Sequence, residues 1–222
     1  MTIPVNQIIR SSRKTLALIV KPDGSLLVRA PLRTSEKAIR EFVEKNKKWI
    51  EKNQAKALAK APPASRQYLP GEMLLFLGNT YPLEIIKGQR EDVVLDTHFK
   101  LAESVQGEAA SAFERWYREQ ARRILNERVD IYACEYGLQY KSIGITSART
   151  RWGSCSATGS LNFSWRLIMA PLEVVDYVVV HELVHTVFHD HSKRFWHKVE
   201  MVMPDYKVHR TWLRKNGKQF MV

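Results

Sequence analysis

The stretch HELVHTVFHDHSKRFW (181–196) opens the densest group of metal-ligating side chains in the chain, which has five of its seven histidines between His181 and His197. His181 and His185 stand four apart, with Glu182 beside the first. On a helix, residues i and i+4 lie one above the other, roughly 6 Å apart. Two imidazoles so placed can point ring nitrogens at one divalent ion about 2 Å from each. Glu182 is turned about 100° around the axis, where it reaches a water on the ion without reaching the ion itself. That is the HExxH arrangement, in which the carboxylate serves as general base for a metal-activated water.

A catalytic zinc needs a third protein ligand and an open fourth position. On a continuous helix His189 lies about 12 Å along the axis from His181, too far for the same ion. His191 qualifies if the chain turns, and HDHS supplies the turn. Asp190 and Ser192 both favour leaving helical geometry, and Ser192 can cap a helix starting at Lys193. His191 is therefore the expected third ligand, and His189 is read as a helix-end residue near the C-terminal dipole. Arg151 is a candidate for contacting substrate, and Arg151, Tyr206 and His209 are candidates for stabilising an oxyanion. Cys155 is a further candidate, as an inhibitory thiolate facing the metal.

These side chains need a helix to carry them. APLEVVDYVVVHELVHTVFH contains a valine triplet that a strand would also accept. Pro171 suits a first helical position, Glu173 suits the first turn, and the run is too long for one strand. Apolar nearly all round, the helix must be buried. Two imidazoles and a carboxylate buried without partners cost several kcal/mol, so something has to satisfy them. Beyond it, Phe195, Trp196, Val199 and Val202 form the packing face of a helix that Pro204 ends, with His197 exposed.

Upstream, KTLALIV (14–20) and SLLVRA (25–30) read as strands joined by a KPDG turn. Thr34 or Ser35 caps a helix with Ile39, Phe42, Val43, Trp49 and Ile50 on one face, running to Pro62–Pro63. APPASRQYLPG (61–71) is linker-like. The expected division is 1–65 and 66–222, or one continuous domain over 1–222. Strands are expected at 73–77, 81–87, 92–96 and 98–102. A long helix over about 108–136 carries Phe113, Tyr117, Ala121, Ile124, Leu125, Ile131 and Tyr132, an arginine-rich opposite face, and a C-terminal Gly137. Strands at 142–149 and 160–168 follow. In the second, Leu161, Phe163, Trp165 and Leu167 face one way, and the strand is expected to pair with extended substrate. The fold class is α+β.

Composition narrows the setting. Lys plus Arg (35) exceeds Asp plus Glu (23) by 12, which favours acidic partners such as nucleic acid, nucleotide or an acidic protein. The apolar runs are too short to span a bilayer, and MTIPVNQIIRSSRK lacks the apolar core of a signal peptide. Two cysteines and no CxxC imply reduced thiols and a cytoplasmic location.

RWGSCS, G-S-LNFSWRLIMAP, VVDYVVVHELVH, HSKRFW and MPDYKVHRTWL, in that order and spacing, resemble the YgjP-like zinc metallopeptidases, relatives of the SprT-like and WLM proteases. The resemblance extends from RKTLALIVKPDGSLLVRAP nearly to the C-terminus. It implies a zincin-like domain around the HExxH helix, one zinc held by His181, His185 and His191, and Glu182 as the catalytic residue. It implies a peptide or protein substrate and also admits a nucleoside triphosphate such as UTP, cleaved by a pyrophosphatase reaction. A nucleic-acid-associated module with structural zinc is the third reading, and Glu182 argues against it.

Overall fold

The computed structural model describes residues 4–21, 23–58 and 66–220; of Leu58 and Lys218 it describes the backbone only. The expected helix stop at Pro62–Pro63, residues 61–65 of the linker-like stretch and Pro22 of the KPDG turn lie outside the described residues. The chain clusters into two compact units, Met1–Arg66 and Gln67–Val222. No helix among the described residues is long and apolar enough to cross a membrane.

In the first unit, β1 (Gln7–Ser11), β2 (Ala17–Val20) and β3 (Leu26–Pro31) form a sheet in the order β1-β3-β2. The strand β1 runs parallel to β3 and was not expected from the sequence. All five of its side chains are exposed, so no apolar alternation marks it. The single expected helix is two, α1 (Glu36–Lys45) and α2 (Lys47–Leu58). Asn46 breaks it: its side chain donates to Phe42 O at 2.7 Å, competing with the backbone ladder. Ser35, not Thr34, is the cap, accepting from Ala38 N. The break also rotates Trp49 out of the expected apolar face to 47% exposure, while Ile39, Val43 and Ile50 join Leu26, Val28 and Ala30 in the core.

The second unit holds two sheets. The first has the order β4-β5-β7-β6, from β4 (Met73–Phe76), β5 (Asn79–Ile86), β6 (Val93–Leu95) and β7 (Phe99–Ala102). The second has the order β8-β10-β9, from β8 (Ser142–Thr146), β9 (Gly153–Cys155) and β10 (Ser160–Ser164). Between them runs α3 (Ala109–Tyr136), ended by Gly137 at φ 63° as a left-handed cap. Val129 rather than Ile131 continues its buried face; Ile131 is 39% exposed. Phe99, Phe113, Tyr117 and Trp165 pack ring against ring at the centre.

Two expectations for the segment 142–168 are corrected. The strand β8 stops at Thr146. The strand β10 stops at Ser164, and Trp165–Met169 form a 3-10 turn in which all five residues are buried. Trp165 and Leu167 therefore do not continue the alternation, and Arg166 points inward rather than to solvent. Its guanidinium lies over the Trp165 ring and donates to Ser147 O. The strand β10 is also the centre of its sheet, hydrogen-bonded on both edges, so it cannot pair with an added chain. The edges of the sheet are β8 and β9.

The helix α4 (Leu172–Val184) is buried along ten of its thirteen residues. Valine costs a helix roughly 0.5 kcal/mol relative to alanine, whereas burying one contributes about 1.5 kcal/mol or more, so packing decides the conformation. Pro171 sits one place before the helix as its cap rather than in it. Asp176 is buried too, and both its oxygens accept from Arg128 of α3, at 2.6 and 2.7 Å. Then come α5 (Lys193–Val202), capped by Ser192 Oγ, and α6 (Tyr206–Asn216).

Candidate metal centre

The helix α4 ends at Val184, with His185 as its cap, about one turn earlier than the sequence pattern implied. Thr186 Oγ1 donates to Leu183 O at 2.8 Å and Phe188 N donates to Val184 O, so the chain curls back over the helix end. His189 is consequently not a helix-end residue. It is exposed on the rim of the cleft and takes no place beside the other imidazoles. The same curl returns His191 to the face carrying His181 and His185. Its Nε2 stands 3.1 Å from His181 Nε2 and 3.2 Å from His185 Nε2. One ligating nitrogen from each of the three lies within 4.8 Å of the others.

The ring orientations are set individually. His185 Nδ1 lies 2.9 Å from Phe188 O. A carbonyl only accepts, so Nδ1 carries the proton and Nε2 turns a bare lone pair to the centre. His191, exposed and on an irregular segment, stacks on Trp196 with ring centroids 5.7 Å apart. Phe195 packs against all three imidazoles. Burial, reinforced by His185, His191 and Arg210, drives His181 down to about 3, and burial likewise lowers His185. Both are neutral at neutral pH, the state a metal ligand requires.

Two nitrogens about 2.05 Å from one tetrahedral ion stand ~3.3 Å apart. The observed separations of 3.1 and 3.2 Å match that edge, and three neutral imidazole donors suit zinc. The residues present therefore fit a zinc ion.

Glu182 is 6% exposed and forms no hydrogen bond among the described residues. Burial pushes its carboxyl up to about 7, against the opposing pull of Arg151. It lies under β9, against Gly153. A Cβ at Gly153 would stand 2.5 Å from Glu182 Cγ and 2.6 Å from Oε1, so only glycine lets this strand cross so close to the carboxylate. Sequence reasoning missed both β9 and the role of Gly153. Three strand residues inside RWGSCS carry no periodic signal, and the close approach comes from a helix nearly thirty residues away.

The cleft, with a volume of about 440 Å³, is bounded by Gly153, Ser154, Cys155 and Ala157 on one side and by Glu182 and the histidines on the other. Cys155 borders it as expected, but its thiol donates to Ser156 O and is pushed up by burial and by Glu182, which disfavours an inhibitory thiolate. Tyr206 is buried and stacks on Trp196, and His209 pairs with Asp205 at 3.0 Å. Neither lines the cleft. Arg151 is exposed and lines the neighbouring cavity instead.

The register of β9 against β10 leaves part of its backbone open. Ser164 N donates to Trp152 O and Ser156 N donates to Ser160 O. Ser154 is thereby the residue that exchanges bonds with Asn162, and Gly153 and Cys155 turn their N–H and C=O groups away from β10. Both residues border the cleft.

Among known proteins, the family model described as YgjP-like, metallopeptidase domain, matches residues 14–216. No curated protein matches the chain.

Proposed function

Because the chain belongs to the YgjP-like metallopeptidase family, we propose that it is a zinc-dependent peptidase in which His181, His185 and His191 hold the metal and Glu182 is the general base. The observation that carries this reading is the convergence, in one cleft, of three imidazole Nε2 atoms, a buried carboxylate and the open edge of β9.

When bound, zinc supplies a water of lowered pKa and a Lewis acid for the scissile carbonyl. Glu182 accepts a proton from the attacking water at a carboxylate oxygen and returns it to the leaving amine. Gly153 and Cys155 hold an extended substrate by main-chain hydrogen bonds, a recognition mode that fits peptide backbone and has no counterpart in a nucleotide. That difference favours peptide over UTP.

The protein as purified should carry about one zinc per chain by elemental analysis. Glu182→Gln should keep that zinc and lose roughly two to four orders of magnitude in hydrolysis of an unfolded protein substrate. No zinc and no uptake on addition overturns the metal reading. Phosphate release from UTP with no peptide cleaved overturns the peptide reading. Loss of zinc in the variant makes Glu182 a ligand rather than a base.

A further inference from the structure

The sheet β8-β10-β9 has two unlike faces. Residues paired across it share a face, so Gly153, Cys155, Leu161, Phe163, Ile143 and Ile145 lie on one. That face meets the core and, at Gly153, Glu182. Ser154, Asn162, Ser164 and Thr146 lie on the other. A cavity of about 250 Å³ sits on this polar face, roofed by Ala148, Arg151 and Trp152 from the β8–β9 connection. Gly153 and Ser154 border both this cavity and the cleft.

The lining is rich in donors and contains no carboxylate. Ser164 Oγ and Thr146 Oγ1 are engaged, donating to Ala148 O and Phe163 O. The half-buried Asn162 amide and the Ser154 hydroxyl have no hydrogen-bond partner among the described residues. Arg151 is the charged group of the lining and forms no hydrogen bond or ion pair with any described residue. Its field nevertheless reaches the Glu182 carboxyl. Arg149, on the same connection, is unpaired as well. Behind it the buried Arg166 feels both Arg149 and Arg118, and the carboxylate there, Glu114, is already held by Arg118 and Ser147. The surroundings are cationic and are not neutralised from within.

Side chains of a strand added to β9 alternate between the two faces of the sheet. Those on the inner face lie over Glu182 and the imidazoles, and one on the outer face reaches the cavity. We infer that this cavity is a specificity pocket that takes the carboxylate of an aspartate or glutamate side chain in a peptide lying along β9, with Arg151 and the Asn162 amide as its donors. This rests on the peptidase reading. It adds that the substrate is acidic at one fixed position from the cut, set by the distance along β9 between the cavity and Glu182.

Two measurements on the full chain test it. The zinc-loaded protein is given an equimolar library of random decapeptides, and the products are sequenced by mass spectrometry. Aspartate and glutamate should be enriched about tenfold or more at a single position, the range expected for one charge-assisted contact. Arg151→Glu should move the enrichment at that position to lysine and arginine, and Arg151→Gln should abolish it. Separately, two fluorescein-labelled decapeptides differing only by Asp or Lys at that position are titrated against Glu182→Gln protein by anisotropy, a readout independent of turnover. The Asp peptide should bind about tenfold tighter or more, and Arg151→Glu in that background should reverse the order. Cleavage without positional preference, or a preference that both Arg151 variants leave unmoved, overturns the pocket and leaves the peptidase reading standing. No peptide cleaved while UTP is hydrolysed overturns the peptidase reading and the pocket together.

Discussion

Glu182 sits where burial opposes its charge, and that opposition is measurable without any metal. Burial raises its carboxyl from an ordinary 4.5 to about 7. The unfolded chain releases this proton near pH 4.5, and the folded chain keeps it until about pH 7. The group's contribution to stability is therefore full below pH 4.5 and is lost as pH rises through 7. Glutamine carries no charge to desolvate. In the metal-free protein, Glu182→Gln should thus gain on the wild type between pH 4 and pH 8 by roughly 3 kcal/mol. His181 acts in the opposite sense, losing stability as pH falls from 6.5 toward 3, but it does so equally in both proteins and cancels. Thermal melts of the two metal-free proteins across that range decide the matter. A difference in melting temperature independent of pH would show that Glu182 titrates in the folded protein as it does in the unfolded chain. A buried carboxyl held near neutrality costs the fold stability once it ionises.

The helix α4 has to present His181, Glu182 and His185 to the cleft in a fixed rotation, and Asp176 holds it through both hydrogen bonds to Arg128 of α3. The pair is mostly buried, so removing the carboxylate strands a guanidinium inside the protein. Asp176→Ala should cost about 3–5 kcal/mol in urea unfolding, and Asp176→Leu with Arg128→Met should recover most of it. A loss below about 1 kcal/mol would mark the pair as an ordinary surface contact. The sequence made α3 and α4 legible, because long apolar periodicity and a run of buried valines leave few alternatives. It made His181, Glu182 and His185 legible by spacing, and His191 through the turn-forming Asp190 and Ser192. Asp176 was hidden among valines, since nothing local names a partner 48 positions away. The strands β1 and β9 were hidden for opposite reasons, one wholly exposed and the other three residues long. The end of α4 was misjudged because TVFH continues the helical pattern in sequence, while the curl at Thr186–Phe188 comes from hydrogen bonds back onto the helix. Hidden partners and short strands are where tertiary contacts override local preference.

At the scale of the whole chain, the described residues of the candidate site lie in one of the two units. The three imidazoles, Glu182, the edge of β9, the cavity roofed by Arg151 and the Asp176–Arg128 pair all lie within Gln67–Val222. That unit has its own continuous core, from Leu74 to Phe220, and the first unit has a separate one built from β3, α1 and α2. The family match nonetheless begins at residue 14, so the first unit belongs to the family pattern, while none of its described residues lines the cleft. If the second core suffices, residues 67–222 expressed alone should be soluble and melt in one cooperative transition. They should also bind about one zinc, with an affinity within about threefold of the full chain, because no ligand and no group that orients a ligand has been removed. Calorimetry with a competing chelator measures the affinity, and near-ultraviolet circular dichroism reports whether the aromatic packing of Phe99, Phe113, Tyr117 and Trp165 survives. A fragment that folds but binds zinc ten times more weakly would mean that the first unit tightens the metal centre from a distance. A fragment that does not fold would mean that the second core depends on the first unit for its stability.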